Sequence, residues 1–314
     1  MSRLRVKVGV KVGVKIVEVG LRDGLQNEQQ ILPFQVRVEA AQKLISAGIQ
    51  HLEVGSFVRA DRVPQMADSS KVIEALLAWQ TPRKILEKIS ALVPNERGMQ
   101  DALQTGIKEI AIFTACSESF CQKNINCSIE ESFQRFEAVL ELAKKNKIKV
   151  RGYLSTCFGC PFEGLVSEST VVKLTKRLLD LGCFEVSIGD TIGVASPTQV
   201  TRLIKKLKKV APIKKMAGHF HDTRGTALAN IVAAYSLGMK TFDSSLGGLG
   251  GCPYAPVASG NVATEDLVYL FEKMGVHTGL DLPVLIGLNH WMGTKMNRIL
   301  PSKVSQAGLP KISL

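Results

Sequence analysis

The chain has 314 residues, of which 45% are hydrophobic and 22% are charged, and its formal net charge is +12 at pH 7. This composition is typical of a globular protein that can bury a large core. The sequence contains no run of 18 uncharged apolar residues, so it predicts no transmembrane helix and no membrane partner.

The first 15 residues are basic, and most of them alternate valine with lysine or glycine. Because Lys7, Lys11 and Lys15 interrupt the apolar residues, the segment lacks the unbroken apolar stretch of a secretory signal. It has a single serine, whereas mitochondrial presequences are rich in serine. We therefore predict a cytoplasmic protein. The repeat Val-Lys-Val-Gly at 6–9 and 10–13 has the period of a strand that leads into the first strand of the fold, but a simple local duplication is the favoured explanation of the repeat.

Seven cysteines lie between Cys116 and Cys252. An odd number of cysteines spread in this way does not favour a disulfide-stabilised fold. It indicates free thiols in a reducing compartment. Cys157 and Cys160 form a CxxC motif, but no second pair at zinc-binding spacing follows it. We predict a structural role for this motif in a loop.

Much of the positive charge lies in one segment, which contains Arg202, Lys205, Lys206, Lys208, Lys209, Lys214 and Lys215. Two interpretations are open: the solvated face of an amphipathic helix with the turn after it, or a surface that binds a polyanion. No aromatic residues are interleaved, as binding of a single nucleic-acid strand would require. The first interpretation is favoured, and we predict no nucleic-acid partner. Excess positive charge would still help to collect a small anionic substrate.

Short apolar runs rich in β-branched residues alternate with segments of helical periodicity along the whole chain. The runs predict eight strands, at 15–19, 51–56, 89–94, 109–115, 150–156, 184–190, 216–222 and 241–246. Two of the helical segments lie at 129–145 and 196–210, and Ser128 with Glu131 forms a capping box before the first of them. Glycine is predicted to close four helices before the next strand, at Gly48, Gly106, Gly182 and Gly238.

Eight strands that alternate with helices predict an α/β fold, a (β/α)₈ TIM barrel that forms a single domain over 1–314. An open doubly wound sheet is the structural rival, but it would need a glycine-rich phosphate turn after the first strand. Here the first strand runs into Leu-Arg-Asp-Gly at 21–24 instead. The barrel core is predicted over about 15–246. Residues 247–314 are expected to form a lid loop and extra C-terminal helices near the barrel mouth.

Enzymes with this fold work at the carboxyl ends of their strands, so polar residues there are candidate site residues. These are Arg22 and Asp23 after the first strand, Glu53 and Ser56 on the second, Asp190 and Thr191 on the sixth, His219, His221 and Asp222 on the seventh, and Asn261 after the eighth. So many polar groups at one end predict an active site there.

His219 and His221 are two residues apart on the seventh predicted strand, so their side chains are expected on the same face. Such a pair of histidines either packs without a ligand or binds a metal ion. Asp23, after the first strand, would add a carboxylate ligand, so metal binding is the favoured interpretation. Two imidazoles and one carboxylate suit Mn²⁺, Mg²⁺ or Fe²⁺ better than a structural zinc, which prefers thiolates. Iron oxygenases use the same donor set, but usually on a different β fold.

Cys252 directly follows a loop with four glycines in five residues, at 247–251. Such a backbone can close like a lid and reopen. A thiol there could be a proton donor, a nucleophile or a small buried residue, and its place at the active end of a barrel favours a chemical role. The sequence contains no Walker loop, no Gly-x-Ser-x-Gly elbow and no Rossmann fingerprint.

Several motifs resemble those of the 3-hydroxy-3-methylglutaryl-CoA lyases, over nearly the whole chain from about residue 15. The loop S-L-G-G-L-G-G-C-P-Y at 245–254 resembles the signature loop of that family, and R-D-G-L-Q-N-E at 22–28 resembles its first-strand motif. Further matches are L-E-V at 52–54, S-F-V at 56–58, V-P-Q-M at 63–66, G-D-T at 189–191, H-F-H-D-T at 219–223 and G-N-V-A-T-E-D at 260–266. The cysteine loop narrows the resemblance to the lyase, because related synthases and aldolases share the Arg-Asp and His-x-His-Asp motifs.

This resemblance implies a homodimeric, divalent-metal-dependent lyase of leucine degradation that cleaves 3-hydroxy-3-methylglutaryl-CoA to acetyl-CoA and acetoacetate. It implies that Asp23, His219, His221 and Asn261 ligate Mg²⁺ or Mn²⁺. It implies that Cys252 is the proton donor and that Arg22 and His219 are further catalytic residues. It implies that Arg22, Glu53, Ser56, Ser187, Asp190 and Thr191 bind substrate or shape its surroundings.

The sequence departs from the family pattern at Leu21, at Gln29, at 59–62 and at Val257. Gln29 stands where some members have lysine, which removes one cationic contact to the acyl-CoA. No departure removes a predicted ligand or the thiol. Two alternatives stay open: an acyl-CoA condensing synthase or hydroxy-keto-acid aldolase that shares the metal ligands, and a non-enzymatic protein that binds acyl-CoA or a polyanion.

Overall fold

The computed structural model describes residues 13–79, 86–252 and 255–310, with the backbone alone for residue 252 and residues 255–259. The Val-Lys-Val-Gly repeat and the strand predicted from it lie outside the described residues, apart from Gly13.

Eight parallel strands close a barrel in chain order. They are β1 (Lys15–Glu18), β2 (His51–Ser56), β3 (Ile89–Leu92), β4 (Glu109–Ala115), β5 (Lys149–Ser155), β6 (Glu185–Asp190), β7 (Met216–Phe220) and β8 (Thr241–Ser244). The barrel closes where β1 pairs with β8, with Lys15 opposite Thr241 and Glu18 opposite Ser244. The predicted TIM barrel is confirmed, and each predicted strand agrees with an observed one to within two residues at either end.

Helices follow the strands and surround the barrel. In the described residues they are α1 (Phe34–Ser46), α2 (Ser69–Leu77), α3 (Glu96–Thr105), α4 (Glu118–Ile125), α5 (Ile129–Lys145), α6 (Glu168–Asp180), α7 (Pro197–Leu207), α8 (Ala227–Ser236), α9 (Thr264–Lys273), α10 (Leu282–Lys295) and α11 (Lys303–Ala307). A short antiparallel ribbon, β9 (Gly251–Cys252) and β10 (Ala255–Ser259), lies between β8 and α9.

Local sequence signals set the helix ends. The capping box of Ser128 and Glu131 begins α5, and both of its hydrogen bonds are present. The four glycines predicted after helices all have positive φ, from 79° at Gly106 to 109° at Gly182. Because a side chain is strained in that conformation, these glycines allow the chain to turn into the next strand.

The C-terminal helices connect the two ends of the barrel. The Asp281 amide, just before α10, donates to the Ala47 carbonyl at the end of α1, below the barrel. At the other end of α10, the Lys295 carbonyl accepts from Gln30, which follows β1. Next to α11, the Ser302 amide donates to Gly247 in the loop after β8. The C-terminal segment therefore returns to the carboxyl ends of the strands, as predicted.

Apolar side chains fill the layer between strands and helices, for example Leu52, Ile110 and Val186, each at most 1% exposed. The barrel interior is instead rich in buried polar and charged side chains, including Glu53, Arg151, Tyr153, Glu185 and Asp243. No helix in the described ranges has both the length and the apolar character that crossing a bilayer requires.

Candidate metal centre and active site

Arg22 and Asp23 lie in a single π-helical turn, Gly20–Gly24, that follows β1. The Gly24 amide donates to the Val19 carbonyl at 3.2 Å, five residues back. A Cβ on Gly20 would lie 2.5 Å from Glu18 Oε1, and one on Gly24 would lie 2.8 Å from Ser245 Oγ. Both glycines are therefore needed for close packing, and the turn they permit brings Arg22 and Asp23 to the barrel mouth. Such turns are frequent at functional sites.

Asp23, His219 and His221 converge at the mouth. One ligand atom of each lies within 4.8 Å of the other two. The Nε2 atoms of the two imidazoles are 3.2 Å apart, and His219 Nε2 is 3.9 Å from Asp23 Oδ2. His219 is on β7, and His221, just after it, forms a backbone bridge with Asn261. The predicted convergence of the two histidines with Asp23 is thus present in the fold.

Asn261 lies beside this cluster. Its amide nitrogen donates to Asp23 Oδ2 at 2.8 Å and to the Leu249 carbonyl at 3.3 Å. The side chain is 3% exposed, so the fourth predicted metal ligand is buried against the carboxylate of the first.

Asp243 on β8 orients His219. Its Oδ2 lies 3.2 Å from His219 Nδ1 and accepts from Ser187 Oγ at 2.7 Å. Its Oδ1 accepts from Arg151 Nη2 at 2.8 Å. An imidazole that donates Nδ1–H to a carboxylate presents the lone pair of Nε2, which is the arrangement typical of a metal-ligating histidine.

The charges of the cluster shift its pKa values. Burial opposes ionisation of Asp23, yet Arg22 and the two imidazoles lower its pKa to about 2. Burial, and then the neighbouring His219, lowers the pKa of His221 to about 4. At neutral pH the cluster therefore offers an ionised carboxylate and a neutral His221 imidazole. Burial would lower the pKa of His219, but Asp243 and Asp23 raise it, so a bound metal ion would have to displace a proton from this imidazole.

Arg22 is held rigidly beside the cluster. Its Nε donates to Glu53, its Nη1 donates to Asp23 Oδ1 at 2.8 Å, and its guanidinium lies 5.2 Å from the ring centre of Tyr153. Tyr153 in turn donates to Glu53 Oε2 at 2.8 Å. Burial alone would lower the pKa of Arg22, but Glu53 and Asp23 raise it, so the guanidinium stays charged in the barrel interior.

A cavity of about 210 Å³ opens at this cluster. Of the predicted site residues, the cavity is lined by Arg22, Asp23, Ser187, Thr191, His219 and His221. Gly251, the residue before Cys252, also lines it. The backbone of Cys252 pairs with Ala255 in the ribbon, and the Cys252 side chain lies outside what the structure describes.

Glu53, Ser56 and Asp190 do not line the cavity. Glu53 is occupied by Arg22 and Tyr153, as described above. The Asp190 carboxylate accepts from the Val194 and Ala195 amides at 2.9 and 3.0 Å, which fixes the turn after β6. Ser56 is 2% exposed and its amide donates to Ser69 Oγ. The structure therefore places these three side chains where they support the site rather than face it.

Arg151, Tyr153 and Asp243 were missed by the sequence reasoning. Arg151 and Tyr153 are two residues apart on β5, and Asp243 is two residues after Thr241 on β8. Alternate strand residues share one face, so polar residues at this spacing inside a barrel strand indicate the interior. That signal was available from the sequence.

A closed (β/α)₈ barrel with two imidazoles and a carboxylate at the carboxyl ends of its strands defines a barrel enzyme with a candidate divalent-metal site. The family model described as HMGL-like matches residues 13–291. The chain belongs to this family.

Known proteins similar to this chain narrow the class. A hydroxymethylglutaryl-CoA lyase of Pseudomonas mevalonii is 50% identical over 269 residues, which cover 86% of this chain and 88% of that one. The mitochondrial hydroxymethylglutaryl-CoA lyase of Arabidopsis thaliana is 47% identical over 96% of this chain, which spans 64% of the Arabidopsis protein. The crystal structure of the hydroxymethylglutaryl-CoA lyase from Pseudomonas aeruginosa superposes with a TM-score of 0.89 at 44% identity, covering 94% of this chain and 96% of that one. The predicted family and the predicted carbon–carbon lyase activity are confirmed.

Proposed function

We propose that this chain cleaves the C2–C3 bond of 3-hydroxy-3-methylglutaryl-CoA at the cluster of Asp23, His219 and His221, to give acetyl-CoA and acetoacetate. The observation that carries this proposal is that one carboxylate and two imidazoles converge on a cavity that Arg22 also lines. The relatives named for this reaction support it.

The donor set fits a divalent cation. Two imidazole Nε2 atoms face each other at 3.2 Å, and His219 is oriented by Asp243. Mg²⁺ or Mn²⁺ would be held by Asp23, His219 and His221, with the amide oxygen of Asn261 as a further ligand. When bound, such an ion acts as a Lewis acid that polarises substrate oxygens and lowers the pKa of a hydroxyl group.

Arg22 would bind the thioester carbonyl oxygen. As the C2–C3 bond breaks, its electron pair moves toward that oxygen and an enolate forms. A guanidinium already fixed by Glu53, Asp23 and the Tyr153 ring needs no reorganisation to stabilise the growing charge. Because the charge is absent from the ground state, this contact lowers the barrier rather than only tightening binding.

Two proton transfers complete the reaction. A base removes the proton from the C3 hydroxyl, and Asp23 and His219 both lie where they could accept it, with 3.9 Å between their nearest atoms. Cys252 then donates its thiol proton to C2 of the enolate, and the thiolate recovers a proton from solvent. The position of Gly251 on the cavity wall supports this role for the next residue in the chain.

A second cavity, of about 560 Å³, adjoins the first and would take the coenzyme A portion of the substrate. The two cavities share wall residues, among them Val58, Leu92 and Phe113. The outer one is also lined by four cations, Arg59, Arg62, Lys123 and Arg135. An apolar wall with cations beyond it suits a pantetheine chain that ends in phosphates.

Acetoacetate release from 3-hydroxy-3-methylglutaryl-CoA, measured with and without EDTA, tests the proposal. We expect turnover that EDTA abolishes and Mg²⁺ or Mn²⁺ restores. A condensing synthase or an aldolase would release no acetoacetate from this substrate, and would show metal-dependent turnover only with other substrates. A non-enzymatic binding protein would show no turnover with any substrate.

Assembly and location are further parts of the proposal. We infer a homodimer from the family resemblance, and light scattering on the purified chain would test it. We also propose a cytoplasmic location. Similar lyases carry both mitochondrial and cytoplasmic names, so imaging of the tagged full-length chain is the appropriate test.

A further inference from the structure

A third cavity, of about 740 Å³, lies at the amino ends of the strands, at the opposite end of the barrel from the metal centre. Its wall includes the first residues of β1, β2, β6 and β8, namely Lys15, His51, Glu185 and Thr241. Chemistry in this fold is performed at the carboxyl ends of the strands. An occupant of this cavity is therefore not the substrate of the lyase reaction.

The cavity is positively charged. Lys15, Lys214 and Lys240 line it together with one acidic side chain, Glu185. Both oxygens of that carboxylate are already occupied: Oε1 accepts from Arg151 at 2.9 Å, and Oε2 accepts from Lys15 at 2.7 Å and from Thr241 at 3.1 Å. The remaining ammonium groups, on Lys214 and Lys240, form no ion pair within the described residues, and Lys240 Nζ lies 3.6 Å from the ring centre of Tyr235, which also lines the cavity.

His51 is another polar side chain on the cavity wall. It lines the cavity, and its pKa is lowered to about 3 by burial and then by the charges of Lys15 and Lys88. A neutral imidazole on the wall can donate one hydrogen bond to an anion without adding charge. Two further cationic residues, Lys208 and Lys209, follow α7 and precede Lys214 in the chain.

The wall also has an apolar part, formed by Val14, Ile16 and Leu280. A volume of 740 Å³ lies in the range of small-molecule sites, about 300–1,000 Å³. Lysine ammonium groups bind phosphate as point charges, while apolar surface of this kind accepts a planar base. Charge, shape and size together suit an anion with an organic body better than a simple inorganic ion.

We propose that this cavity binds a nucleoside diphosphate, with the phosphates held by Lys214 and Lys240 and the base against Val14, Ile16 and Leu280. This inference does not depend on the proposed lyase mechanism, because the residues involved lie at the other end of the barrel.

Isothermal titration calorimetry with ADP tests the proposal. Coenzyme A itself contains a nucleoside diphosphate, so ADP can also bind in the outer cavity at the barrel mouth, and the lysine variants described next distinguish the two sites. We expect ADP to bind the intact protein, and adenosine to bind at least about tenfold more weakly because it lacks the phosphates. Absence of ADP binding, or equal affinity for adenosine, would overturn the proposal.

Two double variants with the same change in charge locate the site. Lys214→Gln with Lys240→Gln should weaken ADP binding by about tenfold or more. Lys205→Gln with Lys209→Gln, which changes two exposed lysines off the cavity wall, should weaken it by less than about twofold. All four lysines are exposed, so folding is expected to be unaffected. Equal weakening in both variants would mean non-specific charge attraction and would contradict the site.

Discussion

At the scale of single residues, Asp243 determines how His219 is presented to a metal. It accepts from Ser187 and Arg151 and lies 3.2 Å from His219 Nδ1, so three side chains from three other strands depend on its two oxygens. Burial would raise the pKa of Asp243, but Arg151 and His219 hold it well below its usual range. The carboxylate is thus ionised throughout the physiological range.

Replacing Asp243 with Asn keeps its size and removes its charge. The amide has one accepting oxygen instead of two, and if that oxygen accepts from Arg151, the NH2 group faces His219 Nδ1 and favours the wrong tautomer. We therefore expect Mn²⁺ affinity to fall by about 10–100-fold, with a comparable loss of turnover. Electron paramagnetic resonance of free Mn²⁺ measures the affinity. Asp61→Asn, at an exposed carboxylate paired with Arg59, is the control. Unchanged Mn²⁺ affinity in Asp243→Asn would show that Asp243 does not orient the ligand.

Cys252→Ser separates proton donation from metal binding. The hydroxyl is a much weaker acid than the thiol, so turnover should fall by about 100-fold or more while Mn²⁺ affinity stays within about twofold. Cys183→Ala removes a buried thiol at the amino end of β6 and should keep its turnover. A Cys252→Ser enzyme with full turnover would exclude the proton-donor role.

Arg62 lies in the outer cavity, where the sequence departs from the family pattern. If it contacts a phosphate of coenzyme A, Arg62→Gln should raise KM by about tenfold and leave kcat within about twofold, because the contact is equal in ground and transition states. Arg97→Gln, at an exposed arginine paired with Asp101 on α3, is the matched control. A fall in kcat with unchanged KM would contradict this assignment.

At the scale of secondary-structure elements, close packing and hydrogen bonds hold the first residues of the loop after β8 in place. Gly247, Gly248 and Gly250 all have positive φ, and a Cβ on Gly247 would lie 2.5 Å from Leu300. The Gly247 amide donates to both oxygens of Glu265, at 3.0 and 2.9 Å. These glycines therefore serve backbone conformation and close packing, which the sequence-based expectation of a lid did not include.

Glu265 makes the anchoring of this loop sensitive to pH. Burial raises its pKa from 4.5 to about 8, although the Gly247 amide acts in the opposite direction. A carboxyl group whose pKa is raised by folding binds its proton more tightly in the folded state. Its contribution to stability is therefore complete below pH 4.5 and is lost as pH rises toward about 8.

We expect the free energy of unfolding in urea to fall between pH 5 and 8, by at most about 1.4 kcal/mol per pH unit for each such proton. Glu265→Gln keeps an acceptor for Gly247 and cannot titrate, so its slope should be flatter. Glu74→Gln, at an exposed position on α2, should keep the wild-type slope. If the unfolding free energy has the same slope against pH in the wild type and in Glu265→Gln, then the Glu265 carboxyl group is not the source of the pH dependence.

The basic segment near residue 205 shows how a charge cluster can belong to an ordinary helix. Val200, Leu203, Ile204 and Leu207 bury one face of α7, while Arg202 and Lys206 on the other face pair with Glu168. The predicted amphipathic helix is confirmed. The prediction that it binds no nucleic acid stays a prediction.

At the scale of the whole molecule, the barrel could be predicted because most strands contain a short run of apolar and β-branched residues followed by a glycine or polar turn. Parallel barrel strands are covered by helices on the outside, so the runs stand out in the sequence. The convergence of Asp23, His219 and His221 followed from the fold, since all three were placed at the carboxyl ends of their strands.

Other parts of the site could not be predicted because they depend on contacts between distant strands. The π-helical turn at Gly20–Gly24 depends on how closely Ser245 packs against Gly24. The positions of Glu53, Ser56 and Asp190 off the cavity wall depend on partners such as Tyr153, Ser69 and Val194. The cavity at the amino ends of the strands combines side chains from four strands, and no motif marks it.

The most direct test of the account is anomalous diffraction from crystals of the full chain grown with Mn²⁺. We predict a single strong peak among the ligand atoms of Asp23, His219 and His221, about 2.0–2.4 Å from each. A peak elsewhere, or no peak at this cluster at saturating Mn²⁺, would contradict the proposed metal centre.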